Sequence, residues 1–191
     1  MKVRPNYQFP LHELIENRWS PRAFSDHMLS REQVLTLLEA ARWAASCNNE
    51  QPWRFIWSLR DSSELYRKLL DCLLPGNQEW AATAPLLMLT LVQTDFTATG
   101  KPNRWAAHDL GLAIGNLTTQ ATAMDIYVHN MAGFSTPKVK EHFDLPENLE
   151  AMTMIAIGYL GDPQILSEYN RKRELEIQQR KPMTDLIPIS S

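Results

Sequence analysis

Residues 41–53 read ARWAASCNNEQPW, from Ala41 to Trp53, and join a helical pattern to a strand-like one through a junction crowded with amides. Upstream, Ser30 with Gln33 forms a capping-box pattern, and Leu29 with Val34 suits the accompanying hydrophobic staple. Val34, Leu37, Leu38 and Ala41 share one helical face, so a helix is expected to about Ala45. Downstream, Trp53-Arg54-Phe55-Ile56-Trp57 is rich in aromatic and branched residues, which favour a strand. Between the two, neutral side chains that both donate and accept would suit a planar polar ligand. A plain helix end followed by a turn uses the same residue types.

Working outward, residues 11–18 place Leu11, Leu14 and Ile15 at helical spacing before Pro21. Asp61 to Leu74 reads as another helix, with Leu65, Leu69 and Leu73 on one face and Pro75-Gly76 as its stop. The run Leu86-Leu87-Met88-Leu89-Thr90-Leu91-Val92 lacks polar alternation, which points to a central strand covered on both faces and says nothing of strand direction. A long helix follows over about Trp105–Met124, in which Ala106, Ala107, Gly111, Ala113 and Gly115 permit close approach of another helix, as a hidden spine would need. Ile126–His129 and Met152–Leu160 read as two further strands around a helix opened by Thr136-Pro137. Residues 164–191 form a polar helix and a proline-containing arm, an extension of the kind that docks on a partner subunit.

The chain of 191 residues suits a single domain over residues 1–191. Its 44% hydrophobic and 21% charged composition fits a folded globular protein. With 19 basic and 22 acidic residues there is no overall positive field to recruit nucleic acid or an anionic membrane, so an anion site must be local. Cys47 and Cys72 lack zinc-site spacing and fit a reduced, cytoplasmic setting. No apolar run reaches secretory or membrane-spanning length.

Local anion chemistry has a candidate that is weak in isolation. Arg18-Trp19-Ser20-Pro21-Arg22 brackets a hydroxyl with two guanidinium groups, forked donors suited to phosphate, although two solvated arginines beside a turn would look the same. Asn77 precedes the buried strand, and Met131-Ala132-Gly133-Phe134 places a glycine just past another, where ligands gather at strand ends. Arg180 and Lys181 add late positive charge. His108 and His129 read as structural.

In this combination and order the pieces resemble the FMN-dependent nitroreductase family, from about residue 14 to residue 182. Arg18, Ser20, Arg22 and Phe24 match its early R-x-S-x-[RK] segment and following phenylalanine, and Ala41–Ser46 with Asn49, Gln51, Pro52 and Trp53 match its ARWAPSxxNxQPW-like stretch. The resemblance implies an α+β fold: a three-layer α/β/α sandwich with a mixed, mainly antiparallel central sheet. It also implies a homodimer with FMN at the interface and a C-terminal arm. Arg18, Ser20 and Arg180 would then hold the FMN phosphate, with Trp19 giving backbone groups, and Arg22 would reach the pyrimidine end of the flavin. Asn77 would read the flavin edge, and Ser46, Cys47 and Asn49 would lie in the loop beside the ring. Met131 and Ala132 would lead into Gly133, whose amide approaches the hydride-accepting nitrogen.

The implied activity is ping-pong: NADH or NADPH reduces FMN, and a small-molecule acceptor such as a nitroaromatic or quinone takes the electrons, with no side-chain nucleophile and no metal. Relatives in the wider superfamily dehalogenate, oxidise azolines or cleave flavin, and a non-catalytic FMN binder would carry the same motifs. Four positions depart from the family pattern. Ala45 replaces a common proline, Ala132 an acidic residue, Gln178 a basic residue near the tail arginine, and Trp80 a basic residue of some relatives.

Overall fold

Every residue from Leu86 to Val92 is buried, so the strand that contains them needs cover on both faces. A computed structural model describes residues 7–62, 64–187 and 189 of the chain. In it, β2 (Leu86–Gln93) pairs with β1 (Trp53–Leu59) on one side and β4 (Leu149–Gly158) on the other, and β3 (Tyr127–Met131) completes the order β1-β2-β4-β3. The mainly antiparallel sheet that was expected is antiparallel at every described pairing.

The period-two alternation along β2 and β4 divides the core into two layers. Leu86, Met88, Ile155 and Ile157 face α2 (Arg31–Arg42) and α5 (Ala106–Ala123). Leu87, Leu89, Met154 and Ala156 face α3 (Glu64–Cys72), α4 (Pro75–Ala81) and α6 (Thr136–His142). Thr90 is the one buried polar residue of β2. Its hydroxyl accepts from the Thr153 amide at 3.1 Å and donates to the Thr153 carbonyl at 3.0 Å, beside a register shift between Thr90 and Leu91. The buried hydroxyl is therefore satisfied where the ladder is irregular.

The remaining described helices are α1 (Glu13–Asn17), α7 (Glu168–Leu175) and α8 (Met183–Leu186). None of the described helices is long and apolar enough to cross a membrane. The capping box at α2 forms in full, with Gln33 N donating to Ser30 Oγ at 3.1 Å and Ser30 N to Gln33 Oε1 at 2.9 Å.

Several expectations need correction. Pro75-Gly76 does not merely stop a helix: Pro75 is the first residue of α4, a position where its missing N–H costs nothing. The helix before the amide junction ends at Arg42 rather than Ala45. The small residues of α5 are not all hidden. Ala106 and Ala113 pack into the core, whereas Ala107, Gly111 and Gly115 lie on an exposed stripe.

The segment after α1 crosses the end of β4. Ser25 N donates to the Tyr159 carbonyl at 3.0 Å, and Gly161 N donates to the Ala23 carbonyl at 2.9 Å, around a bridge between Phe24 and Leu160. A Cβ on Gly161 would lie 2.5 Å from the Phe24 backbone carbon, so only glycine lets the two chains approach this closely. Gly161→Ala is expected to cost about 1–3 kcal/mol of stability, read as a lowered denaturation midpoint, because neither backbone can yield without breaking the bridge. An unchanged midpoint would show that the crossing is loose.

Candidate functional site

The crossing segment delivers Arg18, Ser20 and Arg22 to one end of the sheet. Proline at position 21 and the short helix α1 keep the residues between them extended. Arg18 Nη1 donates to Ser20 Oγ at 3.2 Å, and Arg18 Nη2 donates to Gln178 Oε1 at 3.3 Å. Arg180 Nη2 donates to the same Gln178 oxygen, also at 3.3 Å. Burial lowers the Arg18 pKa, and the positive charge of Arg180 lowers it further. Two like charges thus meet across a neutral amide. They stand at a cavity of about 740 Å³, which Leu11, Ile15 and Leu160 also line.

Arg22 sits deeper. Its guanidinium carbon lies 5.9 Å from the centre of the Trp80 ring, and that ring packs on His129 with centroids 4.5 Å apart. Burial, followed by the charge of Arg173, lowers the Arg22 pKa, while Glu174 opposes them. Position 80, expected to be basic in some relatives, is here a buried aromatic wall beneath the arginine.

His129 Nδ1 donates to the Pro21 carbonyl at 2.8 Å, which leaves Nε2 as the unprotonated nitrogen. Burial drives the His129 pKa down to about 4, chiefly against the help of the Pro21 carbonyl. The histidine is a neutral strut under the arginine segment, consistent with a structural role.

Asn77 and Gly133 also come together. Asn77 Nδ2 and Leu74 N both donate to the Gly133 carbonyl, each at 3.0 Å. A Cβ at Gly133 would lie 2.7 Å from Asn77 Nδ2, so glycine is what allows the amide to reach this backbone. Met131 points into the core and Ala132 is exposed, so of the two only Ala132 leaves its side chain open to solvent.

The amide junction is held elsewhere. Asn48, Asn49 and Gln51 adopt left-handed conformations with φ of 54°, 57° and 53°, which amide side chains tolerate better than branched ones. Ser46 Oγ accepts from Gln51 N at 3.0 Å, and Cys47 N donates to Asp109 Oδ2 at 2.9 Å. The Glu50 carboxylate accepts from Thr97 N at 2.8 Å. The loop is thus tied to α5 and the chain before it, whereas the arginine group is tied to β3, β4 and the tail. One chain brings the expected site residues together as three groups: Ser46–Asn49, Arg18–Arg22 with Arg180, and Asn77 with Gly133.

Three groups that organise the site escaped the sequence reading: Glu174, Gln178 as a bridge, and Asp109. Glu174 lies in a polar helix and looks like any solvated acid, and Asp109 sits on a helix whose apolar residues dominate the pattern. Only Gln178 left a signal, as the missing positive charge near Arg180.

The chain belongs to the nitroreductase family, whose sequence profile matches residues 15–159. A crystallised protein described as an oxidoreductase containing FMN is 33% identical, with 95% of this chain and 92% of that one superposed at a TM-score of 0.89. A Desulfovibrio desulfuricans protein, provisionally named a nitroreductase and solved in complex with FMN, is 22% identical and shares the fold, at a TM-score of 0.72 over 94% of this chain and 95% of its own. A curated Archaeoglobus fulgidus protein, provisionally named NADH dehydrogenase/NAD(P)H nitroreductase, is 27% identical over 78% of this chain and 85% of its own.

The His129 geometry has a consequence for stability. In the unfolded chain the imidazole keeps its ordinary pKa of 6.5, and in the fold it falls to about 4. The unfolded state therefore takes the proton first, and stability is lost as the pH falls from 6.5 toward 4. Wild type should lose up to about 1.4 kcal/mol per pH unit across that window relative to His129→Gln. Denaturant midpoints of both proteins at about pH 7 and about pH 5 check this, and parallel losses would refute the neutral strut.

Proposed function

We propose that this chain is an FMN-dependent oxidoreductase that uses NADH or NADPH to reduce a small-molecule acceptor of the quinone or nitroaromatic type. The observation that carries the reading is the pairing of Arg18 and Arg180, one half-buried and one exposed cation that converge on a neutral Gln178 beside the Ser20 hydroxyl. Such a pair is costly alone and is relieved by a multiply charged anion such as a phosphate monoester.

The donor set fits FMN at further points. Arg18, Ser20 and Arg180 would hold the phosphate, with the Trp19 backbone beside them. Arg22, backed by Trp80, supplies positive charge for the pyrimidine end of the ring. Asn77 offers an amide to its polar edge, and Gly133 presents backbone without a Cβ to keep the ring away. FMN held by these residues would supply the redox chemistry, hydride acceptance from a nicotinamide and electron delivery to the acceptor. The protein's part is to hold, orient and electrostatically bias the cofactor.

We also read the active form as a homodimer. Ser46, Cys47 and Asn49 are anchored apart from the arginine group, and a second copy would bring its own loop to the ring. The exposed stripe Ala107, Gly111 and Gly115 on α5, with Phe9, Ile15, Leu175, Ile177 and Leu186 exposed near the two chain ends, offers surface for such a contact.

The purified protein is expected to carry or take up FMN stoichiometrically, to bleach under NADH or NADPH without oxygen, and to recover its colour on adding a quinone. A light-scattering mass of two chains is expected on the same sample, and a monomer that holds FMN fully would remove the two-chain site. The double variant Arg18→Ala/Arg180→Ala should fold and lose at least about a hundredfold in FMN affinity, from two charge-assisted contacts. Stoichiometric FMN in that variant would overturn the phosphate assignment.

A further inference from the structure

Glu174 is an acid on α7 with only 8% of its surface exposed, and both of its carboxylate oxygens are engaged by the arginine segment. Trp19 Nε1 donates to Oε1 at 3.1 Å, and Arg22 N donates to Oε2 at 2.7 Å. The two donors flank Ser20, so one carboxylate pins the segment on either side of the residues that face the proposed phosphate. A buried charge is retained at a cost unless its hydrogen bonds are complete, and here two N–H donors and the nearby Arg22 charge complete them.

We propose that Glu174 is the positioning residue of the anion site: by clamping Trp19 and Arg22 from the C-terminal helix, it sets the arrangement of Arg18, Ser20 and Arg22 that FMN requires. The inference rests on the reading of the site as FMN-binding and adds a determinant outside the family-like motif. Glu174 lines the same cavity as Arg18 and Arg180, and its two described hydrogen bonds go to the Trp19 indole and the Arg22 amide. It acts through the backbone and the indole of the segment. The same helix leads directly to Gln178 and Arg180, so a single tail element both supplies a phosphate donor and fixes the opposing ones.

Glutamate is the one residue of this length with two acceptor oxygens. Glutamine keeps the shape and one acceptor but turns an NH₂ group toward the second N–H, where two donors then face each other. A role in filling space would leave Glu174→Gln like wild type. A clamp predicts a graded loss instead: about tenfold weaker FMN binding for Glu174→Gln and about a hundredfold for Glu174→Ala. Trp19→Phe removes one donor, so its effect and that of Glu174→Gln should combine to less than their product in the double variant.

The test is an FMN titration of the full-length apoprotein, wild type and variants, at a temperature where each is fully folded by circular dichroism. Amide exchange of Arg22 is measured on the flavin-free samples. The graded loss, with weakened Arg22 protection in Glu174→Ala, supports the clamp. Wild-type FMN affinity in Glu174→Gln, with the wild-type protein binding FMN, overturns the clamp and leaves the FMN reading intact. If the wild-type protein itself refuses FMN, the FMN reading falls and the anion-site assignment of Glu174 falls with it, whatever the exchange data show.

Discussion

Burial of β2 on both faces is the constraint from which the architecture follows, because a seven-residue buried run, apolar except for Thr90, needs cover above and below the sheet, which helices supply here. The even-numbered residues of β2 commit one layer to α2 and α5, and the odd-numbered residues commit the other to α3, α4 and α6. Both flanks of β2 are taken by antiparallel partners, so its backbone is satisfied along its length. The Thr90–Thr153 pairing shows that the single polar intrusion is tolerated because its hydroxyl bonds across the ladder. The end of β4 then becomes the fixed point over which the segment Arg18–Ser25 is stretched.

That segment gathers charge where a fold of modest net charge has no general reason to put it. Arg18 and Arg180 share a neutral oxygen, Arg22 lies over an indole, and the imidazole beneath stays uncharged at ordinary pH. Among the described contacts, the buried acid on this segment, Glu174, is engaged by an indole N–H and a backbone amide. Arg18 and Arg180 thus meet at a cavity whose wall also carries Glu16, Glu174 and Glu176, so charges of both signs face the same space.

The amide-rich junction takes on two meanings at once. Asn48, Asn49 and Gln51 are suited to left-handed backbone, and that alone accounts for their presence in a tight connection from α2 to β1. Asp109 and Thr97 hold this connection rigid from outside it, which is what a loop needs if its side chains are to serve a ligand. Conformational need and binding chemistry select the same residue types here, so neither can be inferred from composition alone.

Local patterns settled much of this protein. The capping box of α2, the apolar run of β2, the aromatic strand after Pro52 and the R-x-S-x-R segment were legible because each is decided by residues close in sequence. Pro75 was ambiguous for the opposite reason: the same residue ends one helix or begins the next, and the choice depends on what Trp80 and Ala81 pack against. Strand order, the split of the α5 small residues between core and surface, the pairing of Arg18 with Arg180 and the grip of Glu174 on Trp19 and Arg22 all join positions far apart in the chain. Sequence determined the elements and the chemistry available to them. Tertiary structure alone decided which charges meet, because the free energy of a buried contact depends on the partners that packing brings to it, and no local spacing records those partners.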